Sequence, residues 1–263
     1  MKIDGRAIAD GIIGSLAGKV PGVTLAVILV GDNPDSLAYI RQKQKAVERI
    51  GGRFIFEHLP ATTTQKELDA RVTMYNNDPA VHGLIVQRPI VGGLTAQVNP
   101  AKDIDGFEKN SPFAVPIAMA IFTLLKQIGS DLEKKRSDPI HVVIVGKGET
   151  AGKPIAAAFA SKQCTTSIIS SQTPDPKKIM KTADILISCV GKQGVVTRDC
   201  VKPGAILLSV GLSRGIDGKL HGDYDENEIA DIAGAYTPTP GGVGPVNIAC
   251  LMQNLVKAAK NRT

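Results

Sequence analysis

His141-Val-Val-Ile-Val-Gly146-Lys147-Gly148-Glu-Thr150-Ala-Gly152-Lys-Pro154 carries a strand, a glycine turn and a helix start in succession. An apolar run of strand length enters a turn with three glycines, and an alanine-rich segment of helix length follows. Glycines between a strand and a helix let the backbone approach a pyrophosphate at the helix N-terminus. The spacing Gly-x-Gly-x-x-x-Gly departs from the standard dinucleotide fingerprint, so the turn alone leaves a plain connection open. Its strand-to-helix setting favours a cofactor loop. Gly146, Lys147, Gly148, Thr150 and Gly152 are the candidate contacts.

Apolar runs at Ser167–Ser170, Ile185–Ser188 and Ala205–Val210 continue the strand series after Ile140–Val145. Upstream, Thr24–Val30, Arg53–Phe56 and His82–Val86 alternate with amphipathic segments, one of which starts near Asp35. Both halves are therefore α/β with parallel sheets. An apolar helix near Ile117–Gln127 leads into the charged segment Asp131–Asp138, which reads as a boundary. A last amphipathic helix is expected over Val246–Lys260.

The second strand of the downstream half ends at Ser170-Ser171-Gln172-Thr173, where NAD-specific sites place an acid on the ribose hydroxyls. No acid stands there. Ser171 and Thr173, with Lys147, would accommodate a ribose phosphate, so NADP is favoured and NAD stays possible. The competing reading makes both hydroxyls caps of the next turn.

Composition narrows the function classes. The 263 residues carry a net charge of +6, with 43% hydrophobic content. The densest basic run, residues 133–136, is flanked by Asp131 and Asp138 and reads as a solvated segment rather than a nucleic-acid patch. A basic balance also suits small polyanionic ligands. The longest apolar run, Phe113–Leu125, contains Pro116 and falls short of the roughly 20 residues of a spanning helix, so no membrane segment is expected. The four cysteines lack Cys-x-x-Cys spacing and the four histidines lack ligand spacing. Reduced thiols, no metal and a cytoplasmic location are the expectations.

Upstream, Tyr39 and Lys43 stand four residues apart, on one face of a helix. Gln87 closes the strand Gly83-Leu-Ile-Val-Gln87, and Asp103-Ile-Asp105-Gly106 follows in an irregular loop. Polar groups at strand ends are where α/β sheets bind ligands. Near the carboxyl end, Thr237-Pro-Thr-Pro240-Gly241-Gly242-Val-Gly-Pro245 combines rigid prolines with glycines that permit close backbone approach.

In order, these segments resemble the bifunctional methylenetetrahydrofolate dehydrogenase/methenyltetrahydrofolate cyclohydrolase family almost end to end. The matching stretches are Val30-Gly-Asp-Asn-Pro, Tyr39-x-x-x-Lys43, Leu84-Ile-Val-Gln87-x-Pro89, Lys102-Asp-Ile-Asp105-Gly-Phe107, Ala183-Asp184 with Val190-Gly191-Lys192, and Pro240-Gly-Gly-Val-Gly-Pro245. The resemblance implies a folate-binding catalytic domain over residues 1–115, completed by residues 241–263, facing a Rossmann-type NADP domain over 116–240. Folate would lie in the cleft between them, in a homodimer. Tyr39 would stack on the aminobenzoyl ring, and Asp105 would accept the paired N–H donors of the pterin. Lys43 and Gln87 would handle the water chemistry. Gly241, Gly242 and Pro245 would contact substrate, and Val190 and Gly191 the cofactor.

The chain departs from the family at several points. Phe113-Ala-Val-Pro116 replaces a Pro-Cys-Thr-Pro-like stretch, the loop after Phe107 is shorter, Lys147-Gly148 stands for Arg-Ser, Ser170-Ser171 for His-Ser, Asn247 for threonine and Arg88 for leucine. Two alternatives carry less. A shikimate-dehydrogenase-like oxidoreductase has the same domain order but no reason for the Pro240–Pro245 loop. A non-catalytic NADP-binding sensor has no need of Lys43, Gln87 and Asp105.

Overall fold

The computed structural model describes residues 1–129 and 138–261. The charged segment Asp131–Asp138, and with it the basic run, lies outside the described residues except for Asp138. The chain divides into two compact units, one of residues 9–116 with 248–263 and the other of residues 1–8 with 117–247. The last part of the chain thus returns to the first α/β unit, as the resemblance implies, while the first eight residues group with the second.

The elements of the first half are α1 (Gly5–Leu16), β1 (Thr24–Val30), α2 (Pro34–Arg49), β2 (Arg53–Leu59), α3 (Gln65–Asn77) and β3 (Gly83–Val86). The three strands form a parallel sheet in the order β2-β1-β3. All seven residues of β1 are buried, as expected for a central parallel strand covered on both faces. Ala26, Ile28 and Val30 pack with Leu84 and Val86 against Leu68, Val72 and Tyr75 of α3. Two caps fix the helix starts. Asn33 accepts from the N–H groups of Asp35 and Ser36 ahead of α2, with Pro34 in the first turn. Thr64 and Glu67 form a capping box at α3.

The second half runs α4 (Pro116–Gln127), β4 (Ile140–Val145), α5 (Gly152–Phe159), β5 (Cys164–Ile169), α6 (Pro176–Met180), β6 (Ile185–Ser188) and β7 (Ile206–Ser209). It continues through β8 (Ser213–Arg214), β9 (Leu220–His221), α7 (Glu226–Ile229), β10 (Ala235–Tyr236) and α8 (Val243–Lys260). Five parallel strands take the order β10-β7-β6-β4-β5. Because β5 lies on one side of β4 and β6 on the other, the winding reverses between β4 and β6, and ligands bind at the carboxyl ends of strands at such a reversal.

Several strand bounds match the sequence reading residue for residue, namely Thr24–Val30, Ile140–Val145 and Ile185–Ser188. Others move. β5 starts three residues before Ser167, at Cys164, and α8 starts at Val243 rather than Val246, taking Gly244 and Pro245 into its first turn. No described helix is long and apolar enough to cross a membrane. None of the four cysteines is in a disulfide, and no group of three or more His, Cys, Asp or Glu among the described residues is placed to hold a metal.

Candidate active site

Within the unit of residues 9–116, the reversal falls between β1 and β3, and three polar side chains meet beside it. Lys43 projects from α2 and is 2% exposed. Its Nζ donates to Oε1 of Gln87, the residue after β3, at 3.1 Å. It also lies 3.9 Å from Oδ2 of Asp105 and 5.1 Å from the centre of the Tyr39 ring. Tyr39, Lys43, Gln87 and Asp105, four of the residues singled out in the sequence as substrate or catalytic groups, therefore form one cluster. Burial lowers the Lys43 pKa below its ordinary value of 10.5, and the Asp105 carboxylate opposes that shift. Gln87 completes its own geometry by donating from Nε2 to the carbonyl of Arg88 at 3.0 Å.

The loop that presents Asp105 is held by groups that sequence reasoning left unassigned. Lys102 is buried and donates to the carbonyls of Tyr75 and Asp78, each at 2.6 Å, at the end of α3. Asp103 accepts from the N–H groups of Gly106 and Glu108 at 3.1 and 2.8 Å. Asn254, buried in α8, donates from Nδ2 to the carbonyls of Ile104 and Ala114 at 2.8 and 2.9 Å. Gly106 has φ 72°, and a Cβ there would press on the Phe113 carbonyl at 2.7 Å. Lys102 and Asp103 stood inside a quoted motif. The one sequence signal for Asn254 was a polar residue between Leu251 and Leu255 on an apolar helix face. Arg88 lies over the Phe107 ring at 4.9 Å, so the departure from leucine adds a cation–π contact beside Gln87.

Within the other unit, the glycine loop joins β4 to α5. Gly146 has φ 102°, a conformation that favours glycine, and a Cβ there would stand a tight 3.1 Å from the Cys189 carbonyl, while a Cβ on Gly152 would strike the carbonyl of Gly146. Glycine is thus called for by backbone conformation at one position and by packing at the other, and Gly148 is open on the side where its Cβ would stand. Lys147 and Thr150 are exposed. At the tip of β5, Thr173 Oγ1 accepts from the Ser170 N–H at 2.9 Å, and Ser170 Oγ accepts from Gln172 N–H. Thr173 therefore caps the turn while retaining its hydroxyl proton, and Ser171 is exposed beside it. These groups fit an anionic dinucleotide: open backbone at a helix start, a lysine, hydroxyls, and no carboxylate at residues 170–173. Val190 and Gly191 follow β6 on the other side of the reversal.

Gly241 and Gly242 lie against α1. A Cβ on Gly5 would strike the Gly242 carbonyl, and one on Gly241 would come within 3.2 Å of Arg6 Nε. The close approach that these glycines allow is thus made at least partly to the chain itself. Pro245 sits in the first turn of α8.

Residues 3–105 match the family model described as the catalytic domain of tetrahydrofolate dehydrogenase/cyclohydrolase, and residues 116–263 match the model of its NAD(P)-binding domain. The chain belongs to this family. The bifunctional protein FolD of Lacticaseibacillus casei is 40% identical over 282 residues, covering 99% of this chain and 98% of that protein. The bifunctional methylenetetrahydrofolate dehydrogenase/cyclohydrolase FolD from Campylobacter jejuni superposes with a TM-score of 0.93 at 34% identity, over 100% of this chain and 99% of that one. The enzyme of the same name from Trypanosoma brucei, solved with NADP cofactor and an inhibitor, gives 0.91 at 30% identity over 99% and 97% of the two chains.

Proposed function

We propose that this tetrahydrofolate dehydrogenase/cyclohydrolase oxidises methylenetetrahydrofolate with NADP and hydrolyses the methenyl product to formyltetrahydrofolate. The observation that carries this is the buried Lys43 held by Gln87 and facing Asp105, in a chain whose halves match the catalytic and NAD(P)-binding models. Bound NADP supplies the hydride acceptor. As hydride leaves the bridging methylene, the neighbouring nitrogen lone pair delocalises into an amidinium-like cation, so this half-reaction asks the protein for positioning but no base.

Hydrolysis does need proton handling. Water adds to the methenyl carbon and one C–N bond then breaks, so a proton must leave the water and another must reach the departing nitrogen. A lysine whose neutral form is favoured by burial can take the first, with Gln87 Oε1 orienting its amine. Asp105 accepts the pterin donors and Tyr39 stacks on the aminobenzoyl ring. Gly241, Gly242 and Pro245 complete the substrate contacts. Gly146, Lys147, Gly148, Thr150, Gly152, Ser171, Thr173, Val190 and Gly191 receive the cofactor.

Residues 1–115 with 241–263 act as the folate part and residues 116–240 as the cofactor part, in a cytoplasmic homodimer. The edge strand β2, unpaired on its outer side and with Phe56 42% exposed on it, is the strand that a second copy would meet. Supplying methenyltetrahydrofolate without nucleotide tests the hydrolytic half separately. Enzyme-dependent loss of its absorbance is expected, and none above the spontaneous rate would refute it.

A further inference from the structure

Asp223 is 0% exposed, and among the described residues it makes no ion pair. A buried carboxylate without a cation is costly unless hydrogen bonds repay the lost water. All the side-chain bonds here point to one loop. Oδ2 accepts from Ser188 Oγ at 2.6 Å and from the Val190 N–H at 3.1 Å, and Oδ1 accepts from the Lys192 N–H at 2.8 Å. The Asp223 N–H in turn donates to Ser209 Oγ at 3.0 Å. Ser188 and Ser209 are register partners at the last positions of β6 and β7, so two adjacent strand ends grip one aspartate.

The space around this carboxylate is closed. A Cβ on Gly211 would strike both Asp223 oxygens and the Gly191 nitrogen, and a Cβ on Gly191, which has φ 70°, would meet the Leu212 carbonyl at 2.9 Å. The loop of residues 190–192 therefore has one shape, set by a side chain more than thirty residues away. Topology says what that shape serves. With the pyrophosphate at the turn after β4 and the adenosine ribose at the tip of β5, the other half of the dinucleotide must extend over β6 and β7.

We propose that Asp223, anchored by Ser188 and Ser209, is the positioning residue of the cofactor loop and thereby a determinant of NADP affinity. This rests on the reading of Val190 and Gly191 as cofactor contacts. Asp223→Asn keeps the shape but sets an NH2 group against one of the three donors, so that donor loses its acceptor and the loop loses its fixed form.

The test compares wild type with Asp223→Asn in two assays, direct fluorescence titration with NADP and steady-state kinetics. The expected result is a Kd and a KM for NADP raised about tenfold or more, with kcat, the KM for methylenetetrahydrofolate and cyclohydrolase activity held within about twofold. Unchanged NADP affinity, or a parallel loss of cyclohydrolase activity, overturns the proposal. If Asp223→Asn fails to fold, Ser188→Ala decides, since it removes one bond to the carboxylate and leaves the two backbone donors. A raised KM for NADP supports the proposal, and a wild-type value overturns it. A wild type that binds NADP but oxidises no folate would instead count against the proposed activity, and the titration would still read the role of Asp223.

Discussion

The Nζ of Lys43 and the Oε1 of Gln87 are 3.1 Å apart, and both side chains are buried, one on a helix and the other just past a strand. The amine therefore has a fixed direction, and its charge state is the variable. Burial lowers its pKa from 10.5 and Asp105 raises it. The neutral amine is then populated below pH 10.5, so kcat for methenyl hydrolysis, corrected for the spontaneous reaction, is expected to rise with pH through the lowered pKa. Asp105→Asn removes the opposing charge and should move this limb to lower pH. A limb that stays in place or moves upward contradicts the coupling.

The same shift makes a stability statement. Between the lowered folded pKa and 10.5, the unfolded chain holds a proton on Lys43 that the folded chain has released, so stability attributable to this residue rises with pH across that window. Urea unfolding of wild type against Lys43→Met as a function of pH should show the rise in the first and its absence in the second. Parallel curves would mean that Lys43 is not titrating where its burial places it.

Asp105 is expected to matter to folate and not to NADP. Charge-assisted hydrogen bonds are worth about 1.5 to 3 kcal/mol each, so Asp105→Ala should weaken folate binding by about tenfold or more. Calorimetric titration with a folate analogue and, separately, with NADP reads the difference. Equal affinities for the folate in both proteins would remove Asp105 from the site.

Lys147 is exposed at the glycine loop, and the β5 tip offers Ser171 without a carboxylate to repel a phosphate. Lys147→Ala is therefore expected to lower kcat/KM with NADP by about tenfold while leaving the much lower value with NAD nearly unchanged. If both cofactors suffer alike, Lys147 serves the pyrophosphate and the preference for NADP has another origin.

Asn254 satisfies two carbonyls on either side of the Asp105 turn. Asn254→Leu leaves them buried and unpaired, at a cost of about 1 to 3 kcal/mol each, and frees the turn that aims Asp105. A lowered Tm together with a raised KM for methylenetetrahydrofolate is expected. A lowered Tm alone would assign Asn254 to stability.

The parts legible in the sequence were those whose signal is local. Apolar runs such as Thr24–Val30 and Ile140–Val145 announce buried parallel strands, and the glycine turn after Val145 announces its helix. Lys43, Gln87 and Asp105 were singled out because each stands in a distinctive motif, and the fold brings the three together. What escaped was pairing over distance. Asn254 reaches Ile104 across 150 residues, and Asp223 reaches Lys192 across 31, with nothing in either local pattern to name its partner. The α8 start was placed late because Gly244 and Pro245 read as loop residues, although proline is at home in a first helical turn. At Gly152 and Gly242, the side on which a Cβ would stand is filled by the chain's own atoms, a close approach that no local pattern announces.

On the proposed function, one chain performs two reactions with separable chemistry, hydride transfer without a protein base and hydrolysis through Lys43. The deciding measurement follows NADPH by its fluorescence and the methenyl intermediate, resolved chromatographically, after mixing methylenetetrahydrofolate and NADP with wild type or Lys43→Met. Wild type should form NADPH with little methenyl accumulating beyond what spontaneous hydrolysis removes, and formyltetrahydrofolate as product. Lys43→Met should still form NADPH while the methenyl compound builds up in step with it. If Lys43→Met clears the methenyl compound as fast as wild type does, Lys43 does not carry the hydrolysis, and if wild type forms no NADPH at all, the chain does not oxidise methylenetetrahydrofolate.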